Sequence, residues 1–128
     1  MHTLKYRCLV VRALCELVLY DVAHAALGFD GVLRLVERCA IRSVSDDQRE
    51  RAICAAVLTA TCLYAKPVLC MQRAFCTARL LRAHGMPARL VIGYRAVPFL
   101  SHAWVELHDR VVNDSPLYQQ RLHVLHRA

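Results

Sequence analysis

Apolar positions in the first half of the chain recur at intervals of three and four residues, the spacing of one helix face. The first such stretch covers residues 4–27 and is followed by Gly28, which breaks the helical pattern. Two further helices are predicted over residues 32–38 and about 46–64. The first half is therefore predicted to be a layer of helices. In the first helix the recurring positions are Leu4, Cys8, Val11, Cys15, Val18 and Val22.

The pattern changes after Gly85. Residues 70–84 contain no Gly or Pro and carry an apolar stripe, which predicts a fourth helix that begins at Cys70 and ends before Gly85. Residues 90–94 are almost all apolar, which is typical of a strand buried on both faces. Residues 102–114 then favour two more strands joined by a turn.

The predicted fold class is therefore α+β. A helical N-terminal layer precedes a central helix that carries the cysteine, and this helix packs on a small antiparallel sheet. The length of 128 residues predicts a single domain over 1–128. The last segment, residues 115–128, is predicted to be a frayed polar tail.

Composition narrows the classes of function. The net charge is +7, but no Lys/Arg run, zinc-finger spacing or aromatic platform accompanies it, so we predict no nucleic-acid partner. The longest uncharged run, residues 52–65, is too short to cross a bilayer, which predicts no membrane anchor. The seven cysteines include no Cys-x-x-Cys pair, which favours free thiols in a reducing cytoplasm, with no metal and no cofactor.

Three residues of the second half are of the types found in a nucleophile, a base and an orienting carboxylate: Cys70, His102 and Asp114. Cys70 is placed at a helix N-terminus, where unpaired backbone N–H groups favour a thiolate. Taken alone, Cys70 is better explained as one of several buried thiols. The coincidence of all three residue types in this order favours catalysis.

The length of the loop between the last two predicted strands decides whether His102 and Asp114 lie on the same face of the sheet. If Leu107, His108 and Asp109 form a three-residue loop, His102 and Asp114 pair directly, with Cβ atoms roughly 4.5–5.5 Å apart. A two-residue turn at His108 and Asp109 would place the pair on opposite faces of the sheet. A catalytic pair therefore predicts the three-residue loop, or a bulge that restores the parity.

The ordered set resembles the transglutaminase-like (papain-like) superfamily, and within it the leader peptidase of lasso-peptide biosynthesis, the C-terminal part of the B protein. That family carries Cys-Leu-x-Arg-Ser, a Leu-Leu-Arg helix end with Gly, Leu-Val-x-Gly, and His-Ala-Trp-Val-Glu before Asn-Asp. The turn after Glu106 lacks the Gly usual in the family. The matching segments here are Cys70-Met71-Gln72-Arg73-Ala74, Leu80-Leu81-Arg82 with Gly85, Leu90-Val91-Ile92-Gly93, residues 102–106 and Asn113-Asp114.

The resemblance implies a cysteine peptidase that removes the leader from a lasso-peptide precursor with a Cys70-His102-Asp114 triad. It implies as partners the precursor, a separate leader-recognition domain protein and the lasso cyclase. Two oxyanion donors are candidates: the Cys70 backbone N–H and, more weakly, Tyr64. Two alternatives stay open: an acyltransferase or transglutaminase-type enzyme with the same triad, and a non-catalytic binding module with Cys70 buried.

Overall fold

The computed structural model describes residues 2–40 and 42–128, and in these residues helices precede strands. This order confirms the predicted α+β class. Four strands form one antiparallel sheet in the order β3-β2-β1-β4. The elements are α1 (His2–Glu37), α2 (Asp47–Leu63), α3 (Cys70–Ala83), β1 (Arg89–Arg95), β2 (Leu100–Leu107), β3 (Arg110–Val112), α4 (Leu117–Arg121) and β4 (His123–Arg127).

Helix α1 consists of two helical segments joined at Gly28, where φ is 71°. This left-handed conformation is one that glycine adopts without the steric penalty of a Cβ, and it confirms the predicted break. The first segment buries Val10, Ala13 and Leu17 against the core. The 3–4 stripe that predicts this helix lies elsewhere on its surface, since Val11 is 58% exposed.

Helix α3 lies at the centre of the molecule, between the helical layer and strand β2. It begins at Cys70, as predicted, and fully buries Phe75, Ala78 and Leu81. It stops before Gly85, whose φ is 86° and whose N–H donates to the Arg82 carbonyl at 2.9 Å. The sequence therefore locates both ends of the helix that carries the candidate nucleophile.

The sheet is covered on both faces. Leu90, Ala103 and Val105 pack into the main core with α3. On the opposite face Val91 and Trp104 form a second, smaller apolar cluster. Because neighbouring residues of β1 are buried on opposite faces, the prediction of a strand buried on both sides is confirmed.

The prediction of a frayed tail is wrong. Helix α4 follows β3, and β4 pairs antiparallel with β1, with His123 opposite Tyr94 and Arg127 opposite Val91. Leu122, between these two elements, is 7% exposed and packs in the second apolar cluster. The segment is ordered because it covers the edge of β1, which would otherwise present unpaired backbone groups.

Candidate active site

His102 and Asp114 are hydrogen-bonded to each other. The distance from His102 Nε2 to Asp114 Oδ2 is 2.6 Å, and each side chain is 14% exposed. His102 lies in β2, and Asp114 follows the end of β3. Two of the three residues predicted for the site are therefore in direct contact, in a partly shielded position where a hydrogen bond to a charged group is strong.

The predicted three-residue hairpin loop is wrong, although the His102–Asp114 contact that it was meant to explain is present. Leu107 pairs with Arg110, so the loop has two residues, His108 and Asp109. Their φ angles are 52° and 63°, and positive φ at both positions is characteristic of the tight turns that match strand twist. With this register, Val105 faces Val112, and a continued strand would carry Asp114 away from His102.

Asn113 brings Asp114 back to His102. Strand β3 ends at Val112, and the next residue, Asn113, is left-handed with a φ of 62°. Asn tolerates this conformation better than most residues. Its amide Nδ2 lies 3.4 Å from the Cys54 carbonyl oxygen and 3.4 Å from Thr77 Oγ1, so α2 and α3 both hold it. The parity is thus restored after the strand rather than in the hairpin loop.

Cys70 is the first residue of α3 and is half-buried. The residue before it, Leu69, is the N-cap residue, and its side chain accepts no hydrogen bond from the first N–H groups of the helix. Among the hydrogen bonds of the described residues, none joins the Cys70 thiol to His102. The structure therefore brings His102 and Asp114 together and places Cys70 at the head of the neighbouring helix.

Arg73 connects that helix to the pair, a role that sequence reasoning did not assign. Its guanidinium Nη2 lies 2.9 Å from Asp114 Oδ2, the same oxygen that contacts His102. Arg73 follows Cys70 by three residues, so both project from nearly the same side of α3. That spacing, together with the presence of Arg73 in the matched motif, was the signal available in the sequence.

The imidazole of His102 stacks on Tyr118, and Trp104 lies beside both rings. Tyr118, from α4, lies 3.8 Å from it centroid to centroid with an angle of 20° between planes, and Trp104 lies 6.3 Å away with an angle of 18°. A carboxylate only accepts hydrogen bonds, so Nε2 donates to Asp114 and Nδ1 remains the basic nitrogen. Tyr118 was missed because its segment was predicted to be a frayed tail.

Trp104 is held by a polar and a steric contact. Its indole Nε1 donates to Glu106 Oε2 at 3.0 Å, and Glu106 is 7% exposed. On the other side, a Cβ on Gly93 would lie 2.5 Å from the indole Cη2. The absence of a side chain on Gly93, which pairs with His102, therefore makes room for the ring that stacks beside the imidazole.

Tyr64, the weaker oxyanion candidate, donates its hydroxyl to Asp21 Oδ2 at 2.5 Å. Lys66 Nζ lies 2.7 Å from the other oxygen of the same carboxylate. Although burial opposes it, the hydrogen bonds from Lys66 and Tyr64 lower the pKa of Asp21. Burial and the bond to Asp21 raise the pKa of Tyr64 to about 12. The hydroxyl proton of Tyr64 is thus engaged by Asp21.

Cys76, six residues after Cys70 in the same helix, has a different environment. It is fully buried, and its Sγ lies 3.5 Å from the Ala13 carbonyl oxygen. Burial raises the pKa of the Cys76 thiol far above its usual value. Only the thiolate is an efficient nucleophile, so the environment of Cys76 disfavours nucleophilic chemistry.

Over residues 2–40 and 42–128 the structure has no cluster of three or more His, Cys, Asp or Glu side chains that could hold a metal ion. Over the same residues, no helix is long and apolar enough to cross a membrane.

A family model described as the transglutaminase-like superfamily matches residues 16–127. Since this is most of the chain, the protein belongs to the transglutaminase-like superfamily, as its motifs predicted. Among curated proteins it is similar to the microcin J25-processing protein McjB of Escherichia coli, with 39% identity over 56 residues. That match covers 44% of this chain and 27% of McjB, so the chain spans about a quarter of that relative's length. No solved structure matches the chain.

Proposed function

We propose that this protein is a cysteine endopeptidase that removes the leader from a lasso-peptide precursor. The observation that carries the proposal is the His102–Asp114 hydrogen bond beside the helix that begins at Cys70. Membership of the transglutaminase-like superfamily agrees with it. The relative's printed name, a microcin J25-processing protein, supports peptide maturation as the setting.

In the proposed reaction, the Cys70 sulfur attacks the carbonyl carbon at the leader–core junction. Nδ1 of His102 takes the thiol proton and returns it to the departing amine of the core. The leader is then held as a thioester, which water hydrolyses with His102 as the base. Asp114 keeps the proton on Nε2, so that Nδ1 is free to act, and it stabilises the imidazolium that forms.

The negative oxygen of the tetrahedral intermediate needs hydrogen-bond donors. The backbone N–H of Cys70 is proposed as the first, because the first N–H groups of a helix have no partner within it. The side chain of Tyr64 is not proposed, since it already donates to Asp21. The stacked rings of Tyr118 and Trp104 are proposed to keep the imidazole oriented and shielded from water.

The family resemblance supplies the proposed partners. These are the precursor peptide, a separate protein that recognises its leader, and the cyclase that closes the ring. We further propose that the reaction takes place in the cytoplasm, where the free cysteines of the described residues would stay reduced. It requires no metal or cofactor, because the steps above use only side chains, backbone and water.

The test is incubation of the protein with a lasso-peptide precursor and its recognition protein, followed by mass spectrometry of the products. We expect cleavage at the leader–core junction, and loss of it in Cys70→Ala, His102→Ala and Asp114→Ala. Cys76→Ala is the matched control, a thiol deletion in the same helix, and we expect it to retain most activity. Equal losses in Cys70→Ala and Cys76→Ala would contradict the assignment of the nucleophile.

Acyl transfer is the second candidate, because the family includes it and the same thioester could react with an amine instead of water. The two functions differ in the product. In the presence of a primary amine, hydrolysis leaves a free leader carboxylate, whereas transfer leaves a leader amide. Predominant amide formation at millimolar amine would favour the second candidate.

A further inference from the structure

Helix α1 carries a straight line of apolar and thiol side chains on its outer surface. The exposed fractions are 68% for Leu4, 58% for Val11, 50% for Val18 and 59% for Val22, and both cysteines in the line are exposed as well. We call this line the α1 seam; its members are Leu4, Cys8, Val11, Cys15, Val18 and Val22.

The seam has the geometry of a helix-pairing surface. Its intervals are 4, 3, 4, 3 and 4 residues, the alternation that defines the inner positions of a coiled coil. It runs along about 27 Å of helix, given a rise of 1.5 Å per residue. The helix's own core contacts are made by other positions, such as Val10, Ala13 and Leu17. Helix α1 thus has two apolar lines along its surface. One packs in the core, and the other, the seam, is exposed.

A groove of about 680 Å³ lies beside the N-terminal half of the seam, between α1 and the start of α2. Leu4, Leu9 and Ala52 contribute apolar surface to it. The basic side chains of Lys5, Arg12 and Arg49 also line it, against a single carboxylate, Asp46, which lies 3.9 Å from the Arg49 guanidinium. The groove therefore combines an apolar floor with an excess of positive charge.

We propose that the α1 seam docks an amphipathic helix of another polypeptide, apolar along one line and acidic along its flanks. The apolar line would pack on the seam, and the acidic flanks would meet Lys5, Arg7 and Arg12, which are all exposed. None of the six seam residues contributes to the His102–Asp114 pair, so the proposal does not depend on the proposed peptidase activity.

A second copy of this chain is a poorer occupant. In a parallel pair of α1 helices, the basic flanks would face each other. In an antiparallel pair they would face the C-terminal half of the seam, where Glu16 already pairs with Arg79 at 2.6 Å and Asp21 with Lys66 at 2.7 Å. Neither arrangement gives the basic flanks an unpaired carboxylate on the partner helix.

A membrane surface is also a poorer occupant. Helices that lie in a bilayer interface present a broad apolar face with large aromatic or Leu anchors. The seam is a narrow line of mostly Val and Cys, and none of its six members is aromatic. Small side chains in such a line let another helix approach closely.

The binding test uses two synthetic helical peptides with Ile and Leu at the seam-facing positions, one with Glu and one with Lys at every flanking position. Fluorescence anisotropy with the full chain should show the Glu peptide binding at least about tenfold more tightly than the Lys peptide. The double variant Val11→Glu, Val18→Glu should weaken it by about tenfold or more. Leu125→Glu, a change at a 62% exposed apolar residue of β4, should leave it unchanged.

Thiol protection locates the site independently of those variants. Cys8 and Cys15 lie in the seam. Cys62 is also exposed, but it lies on α2. Alkylation of Cys8 and Cys15 should slow in the presence of the Glu peptide, while that of Cys62 should not, as read by mass spectrometry of peptides from the alkylated protein. Protection of all three alike would indicate aggregation and contradict the assigned site.

Three results would overturn the proposal. The first is a dimer in sedimentation analysis that Val11→Glu, Val18→Glu converts to a monomer, because the occupant would then be a second copy. The second is tighter binding to anionic phospholipid vesicles than to the Glu peptide. The third is that the Glu and Lys peptides bind equally well in the anisotropy assay, or that neither binds. Either outcome contradicts the proposal, because charge complementarity is the basis for the choice of partner.

Discussion

Arg73 and His102 converge on one atom, Oδ2 of Asp114, at 2.9 and 2.6 Å. Arg73 projects from α3, His102 from β2, and Asp114 follows β3. A single carboxylate oxygen therefore ties the helix that begins at Cys70 to the strand that carries the imidazole. In the proposed reaction, this link sets the position of the nucleophile relative to its base.

Removing the guanidinium should impair the proposed reaction without unfolding the protein. We expect Arg73→Ala to reduce kcat/KM for leader cleavage by about 10- to 100-fold, since small misplacements of reacting groups have effects of that size. Arg73→Lys should recover part of the loss, because it keeps a positive charge but not the planar donor geometry. Steady-state cleavage rates measure both variants.

Arg51→Ala is the control for that series, an exposed arginine on α2. A purely structural role for Arg73 would lower the unfolding midpoint and leave kcat/KM of the folded fraction unchanged. Thermal unfolding measured beside the kinetics separates the two roles, and a full-rate Arg73→Ala would contradict the positioning role.

The residue types and their order pointed to His102 and Asp114 as partners, but the predicted path of the chain between them was wrong. Strand alternation is a local rule, and it relates His102 to Asp114 only if β3 continues to Asp114. The structure instead has a two-residue turn and a strand that ends at Val112. The left-handed φ of Asn113 is stabilised by contacts with α2 and α3, which are distant in sequence and not visible to a local pattern.

Asn113 and Asp109 form a matched pair for testing this path, since their φ angles are 62° and 63°. Asn113→Val and Asp109→Val should each destabilise the fold by about 1–2 kcal/mol, because β-branched residues resist positive φ. Only Asn113→Val should also abolish leader cleavage, since only Asn113 directs Asp114 to His102. Urea unfolding and cleavage assays give the two readouts. Equal activity losses would show that the turn and Asn113 position the site together.

The helical stripe of α1 and the C-terminal tail show a second limit of the sequence. Apolar periodicity predicts a helix correctly, but it does not say which of two apolar lines faces the core. In the tail, the strand forms because β1 offers an open edge, a partner that lies about thirty residues earlier. Tyr118 was therefore missed, because its position on His102 depends on that docking.

Gly93→Ala should disturb the imidazole through Trp104. The added Cβ would lie 2.5 Å from the indole Cη2, so the ring must move. We expect a loss of about 1–3 kcal/mol in stability, typical of overpacking, and slower cleavage because Trp104 stacks beside His102. The chain has one tryptophan, so its fluorescence emission reports the displacement directly. An unchanged emission maximum with normal activity would contradict the predicted clash.

The Tyr64–Asp21 pair should give the protein a specific loss of stability at high pH. The pKa of Tyr64 is about 12 in the folded protein against an ordinary value of 10.0, because burial and the bond to Asp21 favour the neutral hydroxyl. A folded-state pKa above the unfolded value means that this contribution is complete below about pH 10 and is lost as the pH rises through 12.

Tyr64→Phe should be less stable than the wild type at pH 8, by about 1 kcal/mol for one hydrogen bond. Phe does not ionise, so the difference between the two proteins should shrink above pH 10 and change sign before pH 12 in urea unfolding, because a pKa difference of about two units outweighs about 1 kcal/mol. Burial also raises the pKa of Cys54, to about 11, but this thiol is present in both proteins and cancels in the comparison. Unfolding free energies that stay parallel over this range would contradict the assignment of the shift to Tyr64.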